Sequence, residues 1–305
     1  MAPLLSAIVP SYNYARFVAR AVESCLAQGL ADMEVVVVDD ASTDESPRVL
    51  EERFGKDPRV RLELARENRG ISGNFNRGLR AARGKYAGFC CADDEWLPGH
   101  AEKLVSALAG SDAVLAYARA RVVSAEGDPV PPGPGHAFSG CDDAAFFERL
   151  VTSPNVVPFV GTVFEREAAL AAGGFDERLR VLQDYALWFR LSARRPVRFV
   201  DEETVLVRWH GENASSSSPG KSEQRKRDAV TVFEDLLARE APLLSERGLE
   251  KVARARLADA LRRLASRTGS GREARSCARR AIALDPLSPR GYLDYAKALT
   301  RSWST

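Results

Sequence analysis

The chain has 305 residues, 45% hydrophobic and 28% charged, with a formal net charge of +2. This is ordinary for a globular protein, and the length suits one large domain plus a smaller one. The near-neutral balance excludes a chain committed as a whole to nucleic acid or membrane. No stretch approaches the roughly 18 apolar residues of a spanning helix. The opening "MAPLLSAIVPSYN" has neither a basic n-region nor a long apolar run, so a cytoplasmic chain without a signal peptide is expected.

Strand and helix signals alternate through the first hundred residues. "LLSAIVP" (4–10) reads as a strand, and "ARFVARAVESCLAQ" (15–28) carries Phe17, Val18, Ala21, Val22, Cys25 and Leu26 at helical spacing. "EVVVVDD" (34–40) is a β-branched run typical of a strand buried on both faces. "SPRVLEERF" (46–54) predicts a helix with Ser46 as N-cap and Pro47 at its first position. "VRLELAR" (60–66) is a third strand, and "ISGNFNRGLRAARG" (71–84) a helix closed by Gly84. "GKYAGFCCADDEW" (84–96) supplies the fourth strand. This order implies a parallel sheet with helices on both faces.

The middle is less regular. "GDPVPPGPG" (127–135) must be a loop; "FVGTVFERE" (159–167) predicts a strand, "QDYALWFRLSAR" (183–194) a helix, and "TVLVRWH" (204–210) a strand. "SSSSPGKS" (215–222) has linker composition, which suggests a boundary near residue 218. Beyond it the pattern is helical only, and 273–289 resembles the second helix of a tetratricopeptide-type repeat. Residues 251–280 hold ten Lys/Arg against two Asp/Glu, an excess of 10 − 2 = +8. The plain reading is a solvated helical face; the other is docking on a membrane or a partner. Of five cysteines, none stand at C-x-x-C spacing, so a zinc site is not expected, and Cys90 and Cys91 read as reduced residues on opposite faces of the fourth strand.

Ligands of an open parallel sheet bind beyond the carboxyl ends of its strands. Those ends carry "PSYN" (10–13), "DDASTD" (39–44) and "ADD" (92–94). Adjacent Asp93 and Asp94 repel unless something positive sits beside them. Neither a P-loop nor a dinucleotide glycine fingerprint follows the first strand, so backbone amides are not the expected phosphate cradle. A hard divalent ion held by one or two carboxylates and by ligand phosphates is the other common solution.

"AIVPSYNYARFVARAVESCLAQ", "EVVVVDDASTD", "ENRGISGNFNRGLRAARGKYAGFCCADD", "GGFDE" and "QDYALWFRL" together resemble the family 2 glycosyltransferases of GT-A fold, over residues 4 to 215. The resemblance implies an α/β fold, a mostly parallel central sheet flanked by helices (1–218), followed by an α-helical C-terminal region (219–305). It implies an inverting transferase that moves a sugar from a nucleotide-diphospho-sugar, UDP favoured, to a sugar, lipid-linked or other hydroxyl acceptor in surface polysaccharide synthesis. Pro10, Tyr12 and Asn13 match the first nucleotide-contacting segment, Asp40 the base contact, Asn68 a segment near the nucleotide, and Asp93 the ribose position. Asp94 matches the ligand of Mn²⁺ or Mg²⁺, and His210, in "VRWHGENAS", matches a metal or diphosphate contact; Arg208 is a second phosphate candidate. Asp184 matches the catalytic base, which must take the acceptor's proton as it attacks. Many relatives carry an Asp where this chain has Cys91, and a thiol, a poor ligand for Mg²⁺, is given no metal role. Trp96 is a candidate lining of the sugar pocket. A nucleotidyltransferase would show a basic, glycine-rich loop after the first strand, and a non-catalytic scaffold working through its C-terminal helices would bind donor without turnover.

Overall fold

The computed structural model describes residues 2–130, 140, 145–153, 157–211, 213 and 219–300. Two compact units divide the chain. The first is Met1–Phe147, Asn155–Glu177 and Arg190–Gly211; the second is Glu148–Pro154, Arg178–Phe189 and Glu212–Thr305. Two stretches from before the expected boundary, Glu148–Pro154 and Arg178–Phe189, thus group with the C-terminal helices. The boundary near 218, residues 131–135 of the proline-rich loop, residues 215–218 of the linker and Cys141 lie outside the described residues.

The first unit is built on an eight-stranded sheet of order β3-β2-β1-β4-β7-β6-β8-β5. Its parallel half consists of β3 (Val60–Leu64), β2 (Met33–Asp39), β1 (Leu5–Ser11) and β4 (Tyr86–Phe89). The helices α1 (Val18–Leu26), α2 (Ser46–Phe54) and α3 (Gly70–Ala81) connect these strands, and α4 (His100–Leu108) and α5 (Phe146–Thr152) come next in the chain. Val35 to Val38 of β2 are all fully buried, as a β-branched run without alternation requires. Each such side chain contributes roughly 1.5–3 kcal/mol of burial. The other half is mixed. β7 (Thr162–Glu165) runs antiparallel to β4 and to β6 (Leu115–Ser124), β8 (Val197–Trp209) runs parallel to β6, and the two-residue β5 (Glu95–Trp96) closes the edge antiparallel to β8.

Several local expectations need correcting. Helix α2 starts at Ser46 itself: Asp44 Oδ1 accepts the Ser46 N–H (2.9 Å), while the Ser46 hydroxyl accepts the Tyr14 N–H (3.1 Å). Helix α3 ends at Ala81 with Ala82 extended, so Gly84 is not its cap. Gly84 is instead a close approach; a Cβ there would meet Ser6 N, Tyr86 O and Leu5 C at 2.6–2.8 Å. Strand β4 stops at Phe89, although the Cys90 and Ala92 N–H groups still donate to Ile8 and Pro10 of β1. Cys90 is therefore buried and Cys91 half-buried, both reduced thiols outside the strand. The strand expected over 159–167 is a 3₁₀ turn at Phe159–Gly161 followed by β7, with helix α6 (Arg166–Ala171) taking over. Trp96 is only 2% exposed and its indole N–H is shared by the Phe89 and Val160 carbonyls, so it is core and not pocket lining.

In the second unit α8 (Pro219–Arg239) is followed by the short α9 (Ala241–Glu246), and α8, α10 (Glu250–Ala265), α11 (Gly271–Leu284) and α12 (Pro289–Thr300) pack in sequence: α8 on α10, α10 on α11, α11 on α12. The interior of α11 is Ala274, Cys277, Ala278 and Ala281, the face legible in the sequence. Ser270 caps it by accepting the Glu273 N–H. Among the described residues no helix is long and apolar enough to cross a membrane.

Candidate functional site

The parallel register brings the ends of β1 and β2 to one edge: Ser11 pairs with Asp39, and Asp39 with Leu64 of β3. The loops after β1 and β2 are stitched together by polar contacts. The Asn13 N–H donates to Ser42 Oγ (2.8 Å), the Thr43 N–H to Asn13 Oδ1 (2.8 Å), and the Ala15 N–H to Asp44 Oδ2 (2.9 Å). Asp39 closes its own turn by accepting from the Ser42 N–H (2.8 Å) and hydroxyl (2.6 Å). Among the described residues, Asn13 and Ala41 are the two non-glycine residues with positive φ, at 60° and 61°. For Ala41 that costs on the order of 1–2 kcal/mol, held in place by the surrounding bonds. Tyr12 stands 44% exposed at this rim, whereas Pro10 is buried inside β1. Asp40 is buried, and its carboxylate accepts from the Arg69 (3.0 Å) and Gly70 (2.9 Å) N–H groups at the start of α3, with Arg77 at 3.6 Å. Asn68 is exposed and turns its Oδ1 onto the same Gly70 N–H (2.9 Å).

Asp93 and Asp94 sit beside this rim, both 7% exposed. The Asp94 Oδ1 accepts the Arg208 main-chain N–H (2.8 Å). Burial first, and then the Asp93 charge, pushes the Asp94 carboxyl well above the usual carboxylate range, against the pull of Arg208. Asp93 Oδ2 lies 3.2 Å from His210 Nε2. The Tyr14 phenol hydrogen-bonds to Asp93; burial, followed by the charges of Asp93, Cys91 and Asp94, pushes its pKa up, so it stays a donor. His210 is wedged between the Tyr14 ring (edge-on, 5.9 Å) and the Phe17 ring (stacked, 5.5 Å). Tyr14 was not singled out from sequence, although it follows the "PSYN" residues directly.

Arg208 is not a phosphate contact. It is 1% exposed and spends its donors internally: Nε on the Asp93 carbonyl (3.1 Å), Nη1 on the Ser124 and Ala125 carbonyls (3.1 and 3.2 Å), and Nη2 on the Glu95 carboxylate. The guanidinium therefore holds the backbone that presents the two aspartates.

The "GGFDE" loop is fixed from α3. Asn76 donates to the Phe175 carbonyl (2.8 Å) and accepts the Phe175 N–H (2.8 Å). Gly174 has φ +65°, and a Cβ there would meet Asn76 Oδ1 at 2.5 Å.

Asp184 belongs to the second unit, in the first turn of α7 (Gln183–Ser192). It is half-buried, and its Oδ1 accepts the Tyr185 N–H (2.7 Å). It is the second residue of the helix.

Residues 6–164 match the family described as Glycosyl transferase family 2. The chain belongs to glycosyl transferase family 2. This family 2 chain is 29% identical over 239 residues to the chondroitin synthase of Escherichia coli; the match takes in 78% of the chain and 33% of that protein, so the chain spans about a third of the relative's length. Among solved structures, S. aureus TarS 1-349 in complex with UDP-GlcNAc superposes with a TM-score of 0.64 at 16% identity, covering 98% of this chain and 91% of that one. The mannosyltransferase PcManGT of Pyrobaculum calidifontis, in complex with GDP-Man and Mn²⁺, gives 0.58 at 19% identity, covering 99% and 86%. The fold is that of the GT-A transferases, a mostly parallel sheet flanked by helices with a helical C-terminal region.

The residues present fit a divalent cation. One ligand atom each from Cys91, Asp93 and Asp94 lies within 4.8 Å of the others, and two adjacent buried carboxylates are destabilised as a bare pair. The structure thus groups Cys91 with the two aspartates, while His210 reaches the cluster through Asp93.

Proposed function

We propose that this family 2 chain transfers a sugar, with inversion, from a UDP-sugar to a hydroxyl acceptor in the assembly of a surface polysaccharide. The observation that carries the proposal is the convergence of Tyr12, Asn13, Asp40, Asp93 and Asp94 on one edge of the parallel sheet, with the two buried carboxylates adjacent. The named activity of the chondroitin synthase relative and the UDP-GlcNAc bound by TarS support the polymer and the nucleotide.

Tyr12 and Asn13 then flank the nucleotide, Asp40 accepts from the base, and Asp93 binds the ribose, steadied by Tyr14 and His210. Asp94, with His210, would hold Mn²⁺ or Mg²⁺, which supplies positive charge to the diphosphate leaving group. Asp184 accepts the proton of the acceptor hydroxyl. The acceptor oxygen forms its bond to the anomeric carbon as the bond from that carbon to the diphosphate oxygen breaks, and the electron pair leaves on the diphosphate. Attack opposite the leaving group inverts the configuration. A peripheral membrane contact through the basic C-terminal helices would bring the chain to a lipid-linked acceptor.

The test is UDP or GDP release from a panel of UDP-sugars and GDP-Man with Mn²⁺, with and without oligosaccharide acceptors, for the wild type and Asp184→Asn. The reading predicts turnover of one donor, lost by about 10³-fold or more in Asp184→Asn while UDP still binds. Donor binding without turnover in the wild type would overturn it in favour of a non-catalytic scaffold.

A further inference from the structure

The assignment of Asp184 as base leaves a fully buried carboxylate of the same unit unused. Asp228, in the middle of α8, is 1% exposed. Its Oδ2 accepts three consecutive main-chain N–H groups, those of Arg180 (2.9 Å), Val181 (2.6 Å) and Leu182 (3.1 Å). Its Oδ1 accepts from the Gln224 side-chain amide one turn earlier (2.7 Å). The segment it grips leads straight into α7. The Leu182 carbonyl accepts the Ala186 N–H (3.1 Å), so Leu182 opens the helix whose second residue is Asp184.

We propose that Asp228 is a positioning residue for the transfer reaction, its carboxylate fixing the 180–182 backbone so that Asp184 is held in one pose at the start of α7. The inference rests on the base assignment made above. Three amides converging on one carboxylate oxygen are charge-assisted bonds, stronger than neutral ones. A negative charge at this end of α7 also suits the helix dipole. The three amides are thereby committed to Asp228, not to Asp184. Two further ties restrain the segment: Arg178 pairs with Asp235 of α8, and the Tyr185 hydroxyl donates to the Leu150 and Ser153 carbonyls. The C-terminal helix α8, which the sequence assigns to an appended region, becomes part of the catalytic framework. Its role is geometric: a base misplaced by about 1 Å costs on the order of 10²-fold in rate.

The test uses the full chain and compares wild type, Asp228→Asn, Asp184→Asn and the double variant, reading UDP release from the UDP-sugar the wild type consumes and UDP affinity by calorimetry. Asp228→Asn is expected to lower kcat by about 10²-fold with donor KM and UDP Kd unchanged. The double variant is expected to be no slower than Asp184→Asn alone, because Asp228 acts through Asp184. Unchanged kcat in Asp228→Asn, or losses that multiply in the double variant, would overturn the inference. Gln224→Ala, which removes only the amide on Oδ1, covers the case in which Asp228→Asn does not fold, and it should lower kcat in the same direction by a smaller factor; no change there counts against the proposal. Full turnover by Asp184→Asn would remove the base assignment itself, whereas an inactive Asp184→Asn beside a fully active Asp228→Asn removes only the role given to Asp228.

Discussion

Replacing Arg208 by methionine should damage both stability and donor binding, because one buried guanidinium serves both. Methionine keeps the apolar volume against Phe17, whose ring lies 5.5 Å from the guanidinium carbon, but removes every charged donor. The carbonyls of Asp93 and Ala125 lose their partner, that of Ser124 keeps only the Gly127 N–H (3.1 Å), and Glu95 is left to Arg20 at 2.9 Å, a residue half in solvent. Each buried acceptor left unmatched costs about 1–3 kcal/mol, with partial relief from water. Breaking a buried ion pair by removing one partner costs about 3–5 kcal/mol in total, a large share of a 5–15 kcal/mol stability. The Arg208 main-chain N–H to Asp94 survives the change, so the loss at the site comes through the Asp93 backbone. Urea unfolding should show a midpoint shift equivalent to about 3–5 kcal/mol, and UDP titration with Mn²⁺ a weakened affinity under conditions where the variant is folded. Glu95→Gln in the same chain should recover about 1–2 kcal/mol by removing a largely buried charge whose one remaining partner, Arg20, is half in solvent. A loss below about 1 kcal/mol, or no recovery with Glu95→Gln, would refute the reasoning.

Three further outcomes follow from packing and titration. His100 is fully buried, its Nδ1 2.9 Å from Thr204 Oγ1, and burial pulls its pKa from 6.5 down to about 3. Below pH 6.5 the unfolded chain binds a proton that the folded one does not, so the stability this neutral histidine preserves falls by about 1.4 kcal/mol per pH unit between 6.5 and 3. His100→Gln should flatten the slope of urea stability between pH 7.5 and 5, and an unchanged slope counts against it. Gly84→Ala forces a Cβ onto three backbone atoms and should cost about 1–3 kcal/mol by thermal unfolding; a neutral effect would mean that the β1–β4 contact gives way. Asn76→Ala leaves both the N–H and the carbonyl of Phe175 unmatched, so a loss of about 2–4 kcal/mol is expected, seen also as faster amide exchange at Phe175. Exchange as slow as in the wild type would show that another group holds the loop.

The parallel half of the fold was legible because its signals are local: an unbroken β-branched run at 35–38, helical spacing at 17–26, and polar clusters where strands stop. The mixed half was not. The direction of β7 is set by its pairing with β4 and β6, and nothing in "TVFE" encodes it. Caps failed for a related reason. Ser46 has the right chemistry for an N-cap, but it is the first helical residue, its N–H taken by Asp44 and its hydroxyl by the Tyr14 N–H, and the cap position falls to Glu45. The carboxylates of the site were readable from motif and spacing, whereas their support was not: Arg208 lies 114 residues from the Asp94 it holds, and Asp228 reaches residues 46–48 positions away. An arginine in "VRWH" looks like a phosphate ligand until its burial is known.

The central claim is that the paired carboxylates form the donor site, and calorimetric titration of UDP tests it most directly. Wild type and Asp94→Ala are each titrated with and without Mn²⁺. The account predicts binding that strengthens with Mn²⁺ in the wild type and loses that dependence in Asp94→Ala. Binding equally tight in the variant, or no binding of UDP to the wild type with Mn²⁺ present, would contradict it.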